Sequence, residues 1–241
     1  MEERVHDRQD LHIAGAGVSA GGVYGKVQLD GMGSIRGDLD CIRFVGNGNV
    51  SVKGSLTSET VRIHGNGTVD GPVDVHELHV GGSAKLKGHL RCHALNVNGK
   101  CKVQGEVKAS KMAIGGFFNA LHIQSETIEV KGSISVEGVM HSDTIDIRLF
   151  DRSEVQQISA NFIKVRKKGK RIWEQLSFSF RPARLTTRII EGSLIDVEHT
   201  EADIIRGNRV VLGPGCKVRL VEYVEELIQD PSAEVGEVRL I

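Results

Sequence analysis

From Leu11 to Val165 the chain repeats itself about every seventeen residues, and few folds accommodate so short a unit. Aligned on an apolar residue four places before a glycine, the units begin at Leu11, Val27, Phe44, Val61, Leu78, Leu95, Met112, Ile128, Ile145 and Phe162. Two residues on stand Ile13, Leu29, Ile63, Val80, Val97, Ile114, Val130 and Ile147. Four residues on is a glycine column: Gly15, Gly31, Gly48, Gly65, Gly82, Gly99, Gly116 and Gly132. Ten residues on is a second, Gly21, Gly37, Gly54, Gly71, Gly88, Gly105 and Gly138, with His122 in its one gap. Between the glycines runs an aliphatic column of Ile35, Val52, Val69, Leu86, Val103 and Val136.

Apolar and polar residues alternate between the glycines, and period two marks a strand with one buried face. A unit this short cannot hold a helix–turn–helix repeat or a propeller blade. It fits one coil of a β-solenoid, in which each turn pairs with the next at about 4.8 Å. The expected fold is all-β: a right-handed single-stranded β-helix of about 17-residue coils, with a smaller C-terminal β segment. A left-handed hexapeptide solenoid is the rival, since Ile63, Val69 and Val75 step by six. The period of seventeen and the scarcity of proline, 4 residues, favour the right-handed coil. Glycine belongs at the corners, where the backbone needs a positive φ or turns approach closely. The stretch GNGTVDG, Gly65 to Gly71, therefore reads as two corner glycines flanking inward Val69, although alone it resembles a phosphate-binding loop. A dinucleotide loop opens a helix, and here more strand follows.

Composition agrees. Glycine numbers 29, against about 17 expected at average usage of roughly 7%. Aromatics are only 4%, so Val, Ile and Leu must build the core. Lys+Arg and Asp+Glu are equal at 31 each, and net charge gives no reason to expect nucleic acid. Cys41, Cys92, Cys101 and Cys216 form no C-x-x-C pair and read as reduced thiols packed as small apolar residues. The opening MEERVHDRQD has no apolar core for a secretory signal. No apolar run approaches 18 residues. These features place the chain in the cytoplasm.

The register fades after Val165, giving a division into a polar tail (1–10), a β-helix (11–165), a basic-aromatic insert or cap (166–185) and an additional β segment (186–241). Lys167, Lys168, Lys170, Arg171, Trp173, Phe178 and Phe180 in the insert either cover the end of the solenoid or touch a membrane or partner. Beyond it, Val224 to Leu227 reads as a short helical turn.

Catalytic signals are few. His76 and His93 share a column in adjacent coils, one coil beyond Glu59, so their rings should stack about 5 Å apart. They are the candidate metal ligands, but an open zinc site needs three protein ligands. Nucleophile-elbow, H-E-x-x-H and P-loop motifs are missing. No cofactor is expected.

Units such as VQLDGMGSIRGDLDC, VSVKGSLTSETVRIHGNGTVDGPVDV and IEVKGSISVEGVM resemble the bactofilins, polymer-forming bacterial cytoskeletal proteins. The resemblance spans roughly Leu11 to Val165. It implies a triangular right-handed β-helix that assembles end to end into nucleotide-independent filaments. Such scaffolds serve cell shape, placement of cell-wall enzymes, or motility. The implied partners are copies of the chain, a paralogous bactofilin, and cell-envelope or motility proteins, at the inner face of the membrane or in the cytoplasm, without nucleic acid. The chain departs from the pattern in lacking long proline-rich tails and a hydrophobic N-terminal stretch, and in continuing past the repeat.

Terminal coils of a solenoid expose unpaired backbone and apolar surface. The expected assembly contacts are thus Leu11, Ile13, Val23, Val27 and Leu29 at one end, and Ile145, Ile147, Phe162 and Val165 at the other. The rival readings are a solenoid acyltransferase or metal-dependent hydratase, and a membrane- or partner-binding module built on 166–185.

Overall fold

The computed structural model describes residues 8–167 and 183–241. Among them every regular element is a strand, and the strands stack in parallel as a β-solenoid. Two compact units divide the chain, Met1–Leu121 and His122–Ile241.

The first unit holds β1 (Leu11–Gly46), β2 (Asn49–Val52), β3 (Leu56–Ile63), β4 (Asn66–Val69), β5 (Val73–Val80), β6 (Ser83–Leu86), β7 (Leu90–Val97), β8 (Lys100–Val103), β9 (Glu106–Ile114) and β10 (Phe117–Ala120). Long and short strands alternate, and each pairs with its counterpart one turn later. Val61 faces Leu78, Leu78 faces Leu95, and Leu95 faces Met112. Val52, Val69, Leu86 and Val103 form a second ladder. The first step, Gly15 to Gly31, is sixteen, and from Met32 onward the offset is seventeen, as the glycine columns require. Inward positions are filled by Val, Ile and Leu, with Phe44 and Phe118 fully buried. Each such side chain contributes about 1.5–3 kcal/mol by leaving water.

Corner glycines are demanded mainly by close approach. An added Cβ on Gly65 would lie 2.1 Å from the carbonyl oxygen of Gly48. That carbonyl accepts the Asn66 N–H at 2.8 Å, so corner and ladder hydrogen bond occupy the same space. Val69, in the same turn, is buried. The phosphate-loop appearance of GNGTVDG thus comes from corner stacking.

The second unit holds β11 (His122–Val130), β12 (Ser133–Leu149), β13 (Ser153–Lys167), β14 (Leu185–Val197), β15 (Thr200–Leu212), β16 (Lys217–Gln229) and β17 (Glu234–Leu240). Its inward ladder runs Ile128, Ile145, Ile163, Ile195, Val210 and Leu227. His122 fills the glycine gap by lying over Gly138, with its Nδ1 accepting the Val139 N–H at 3.0 Å.

Three expectations are corrected here. Phe162 is not a column residue. The offset from β12 to β13 is nineteen at Val136 and eighteen from Val139 onward, not seventeen, so Ile145 pairs with Ile163 and Thr144 with Phe162. A one-residue slip turns every side chain to the other face, and Phe162 points outward, 38% exposed, while Ile163 is buried. Second, residues 186–241 are further turns of solenoid, because β14 lies in parallel register on β13. Ile163 to Ile195 is 32 residues, nearly twice the period, and the insert falls between them. Third, Val224 to Leu227 lies within strand β16.

The corrected register has a measurable consequence. Ile163→Ala is expected to cost about 2–5 kcal/mol by emptying a core position, whereas Phe162→Ser stays within about 1 kcal/mol. Urea denaturation of the two variants checks this, and the reverse ranking would refute the register.

Candidate functional site

Outward faces carry the exposed chemistry of a solenoid, and the first and last turns carry more, because their inner columns have a neighbour on one side only. From Leu11 to Lys26 no residue of β1 is buried; Val27 is the first. Leu11 and Ile13 are half-buried. Val23 is 59% exposed, although Leu39, its equivalent one repeat later, is buried. Arg8 pairs with Asp40 at 2.9 Å, and the Asp10 carboxylate accepts the Lys26 N–H at 2.7 Å. These contacts fix the rim of the first turn without covering its apolar interior. Val27 and Leu29, expected among the contacts, are fully buried in the turn above and so cannot themselves meet a second chain.

The last turn, β17, lies in register on β16, with Val238 on Val221. Val221 is fully buried and Val238 is 46% exposed. Alternation of burial stops there: every residue from Gly236 to Ile241 is exposed, Leu240 at 69%. Valine and leucine in an inward register but in contact with water are the mark of an uncovered inner face.

The expected second contact falls elsewhere. Ile145, Ile147 and Val165 are fully buried, with β14 to β17 stacked beyond them, and cannot form a terminal surface. Val238 and Leu240 take their place. Their signal is in the sequence: Val218 and Val235 stand seventeen apart, continuing the period beyond the insert.

Lys167 ends β13, with its backbone N–H donating to Glu198 Oε2 at 3.2 Å. Lys168, Lys170, Arg171, Trp173, Phe178 and Phe180 lie outside the described residues. The basic neighbour Arg166 forms ion pairs with Asp196 and with Glu198.

His76 and His93 do stack, with ring centroids 4.9 Å apart and planes within 7°. Both are exposed. Among the described residues no group of three His, Cys, Asp or Glu could hold a metal ion. The pair is a surface stack on neighbouring turns.

All four cysteines are buried free thiols. Cys41 donates to Ser58 Oγ at 3.6 Å, one turn away in the same inward column. Burial pushes the Cys92 and Cys101 thiols up to about 12, which removes the thiolate that nucleophilic or redox chemistry requires. Raised folded-state values stabilise the fold fully below the unfolded value near 9 and lose that contribution as pH rises towards 12. Stability should therefore fall across that window, and less steeply in Cys92→Ala/Cys101→Ala. Denaturation at stepped alkaline pH checks this, and parallel curves for parent and variant would refute it.

Among the described residues no helix is long and apolar enough to cross a membrane. No protein-family model matches the chain, and no solved structure matches it significantly. It is similar to the uncharacterized protein YhbE of Bacillus subtilis (strain 168), 43% identical over 230 residues, covering 94% of this chain and 96% of that protein. The uncharacterized protein YhbF of the same strain is 33% identical over 101 residues, covering 42% of this chain and 40% of that protein.

Proposed function

We propose, for a chain that belongs to the family of the Bacillus subtilis protein YhbE, the role of a non-catalytic scaffold that assembles through its terminal turns into filaments. The observation that carries this reading is the uncovered inner face at the first turn of one unit and the last turn of the other. Val23 and Val238 occupy core columns and are exposed. A second chain bringing its own terminal turn would bury both and continue the parallel or antiparallel ladder. No step of this assembly calls for a bound nucleotide, since stacking apolar turns supplies the driving force.

The bactofilin resemblance supports the same reading and suggests the setting: a cytoplasmic polymer, near the inner face of the membrane, organising cell shape, envelope enzymes or motility. The partners are copies of the chain or a paralogue of the same turn geometry.

Electron microscopy of the purified protein without nucleotide tests the proposal. Filaments are the expected result. A strictly monomeric protein across the accessible concentration range would overturn it.

A further inference from the structure

The chain is neutral overall, but its charge is not evenly distributed. Between Lys85 and Lys111 stand seven basic residues and one acid, Glu106. Two of the seven are paired with acids of the preceding turn: Lys87 with Asp70 at 2.8 Å and Arg91 with Asp74 at 3.7 Å. The other five, Lys85, Lys100, Lys102, Lys108 and Lys111, are exposed, and none has an ion pair among the described residues.

The register stacks like charge on like charge. Lys85 lies opposite Lys102, and Arg91 opposite Lys108. Adjacent turns sit about 4.8 Å apart, and like charges directly opposite each other destabilise a sheet. Like charges also meet in the second unit, Glu129 opposite Asp146 and Arg148 opposite Arg166, but there each has an oppositely charged partner: Glu129 with Lys131, Asp146 with Arg148, and Arg166 with Asp196. In the second unit Arg206 sits between Glu191 and Glu222, at 3.0 and 2.8 Å, and Arg184, Arg209 and Lys217 each meet a glutamate seventeen residues on. The lysine band differs in that Lys85, Lys102 and Lys108 stack on like charge with no acid paired to them among the described residues.

We infer that the face of β6, β8 and β10 docks on a bilayer surface of anionic lipid. Outward residues there include Lys85, Lys100 and Lys102. On the next turn Phe117 stands in register with Lys100, 38% exposed, its ring centroid 5.6 Å from Lys100 Nζ. Leu121, just beyond β10, is 39% exposed. Flexible lysines beside one exposed phenylalanine and one leucine suit a headgroup layer, where ammonium groups meet phosphates and the rings and methyls enter the acyl boundary. Nucleic acid fits less well. The face has no arginine fork for phosphate or base edges, and its one aromatic cannot form a row of stacking platforms. The partner lies outside the assembly reading, and the inference stands whether or not filaments form.

Flotation of the full chain with phosphatidylcholine vesicles, with and without phosphatidylglycerol, tests this. Flotation separates bound protein from sedimenting polymer. The parent should float only with the anionic vesicles and detach as salt is raised. Lys85→Gln/Lys100→Gln/Lys102→Gln should bind roughly a hundredfold more weakly, about fivefold per charge from roughly 1 kcal/mol each. Its melting temperature should not fall, because stacked repulsion is relieved. Lys167→Gln/Lys168→Gln/Lys170→Gln removes the same charge from the insert and should bind as the parent does. The inference is overturned if the parent ignores anionic vesicles, if the first variant binds unchanged, or if the insert variant is the one that detaches. Preferential capture of a duplex oligonucleotide over the vesicles, lost in the first variant, would overturn the lipid assignment in favour of nucleic acid.

Discussion

Gly99→Val is expected to destabilise the first unit by more than about 4 kcal/mol, the range reserved for disrupted backbone or core. Gly99 has no positive φ, so the cause is spatial. A Cβ there would stand 1.9 Å from the Gly82 carbonyl oxygen and 2.5 Å from that of Gly81. Both are backbone atoms and cannot swing aside. The Gly82 carbonyl accepts the Lys100 N–H at 2.8 Å, and the Gly99 carbonyl accepts the Phe117 N–H at 2.9 Å. Moving either corner breaks a ladder bond within a dry stack, where an unmet donor or acceptor costs about 1–3 kcal/mol. Gly81→Ala is the matched control. Its nearest neighbour would be His64 Nδ1 at 3.5 Å, an ordinary contact with a side chain. That variant should stay within about 1 kcal/mol of the parent. Urea denaturation followed by circular dichroism compares the two. Equal stability of both variants would show that corner spacing does not fix the glycine column.

The same geometry explains why so much of the fold was legible in the sequence. Corners that exclude a Cβ leave a glycine every turn, and a pleat with one dry face leaves an aliphatic every second residue. Both marks survive for as long as the offset stays near seventeen. Where it changes, the marks mislead. From Val139 onward the offset from β12 to β13 is eighteen, and Phe162, apolar and seventeen residues on from Ile145, stands where the column is expected although Ile163 fills it. The insert then separates Ile163 from Ile195 by 32 residues, and the following step to Val210 is only fifteen. Those turns hold fewer glycines, so the search for a glycine column ends too early and places the terminal contact at buried Ile145 and Val165. The stacked histidines followed directly from equal spacing. The lysine band did not, because 31 basic and 31 acidic residues cancel in the total and only the register shows Lys85 against Lys102.

Val238→Arg is expected to abolish long filaments while leaving the fold intact. In the single chain the side chain is already half in water, so the guanidinium stays solvated and stability changes by no more than about 0.5 kcal/mol. In an assembled junction the same position lies over fully buried Val221, within an apolar column. An unpaired charge enclosed there costs several kcal/mol, enough to raise the assembly threshold by a factor of about a hundred or more. Val23→Arg places the same defect on the first turn. The pair of variants also reads the polarity of the polymer. If first turn meets last turn, the contact is heterologous and either variant alone leaves monomers. If like turns meet, the contacts are isologous and each variant still closes through its intact end, leaving dimers. Sedimentation velocity distinguishes the two masses. Filaments of parental length in both variants would show that the uncovered inner faces are not the assembly surface.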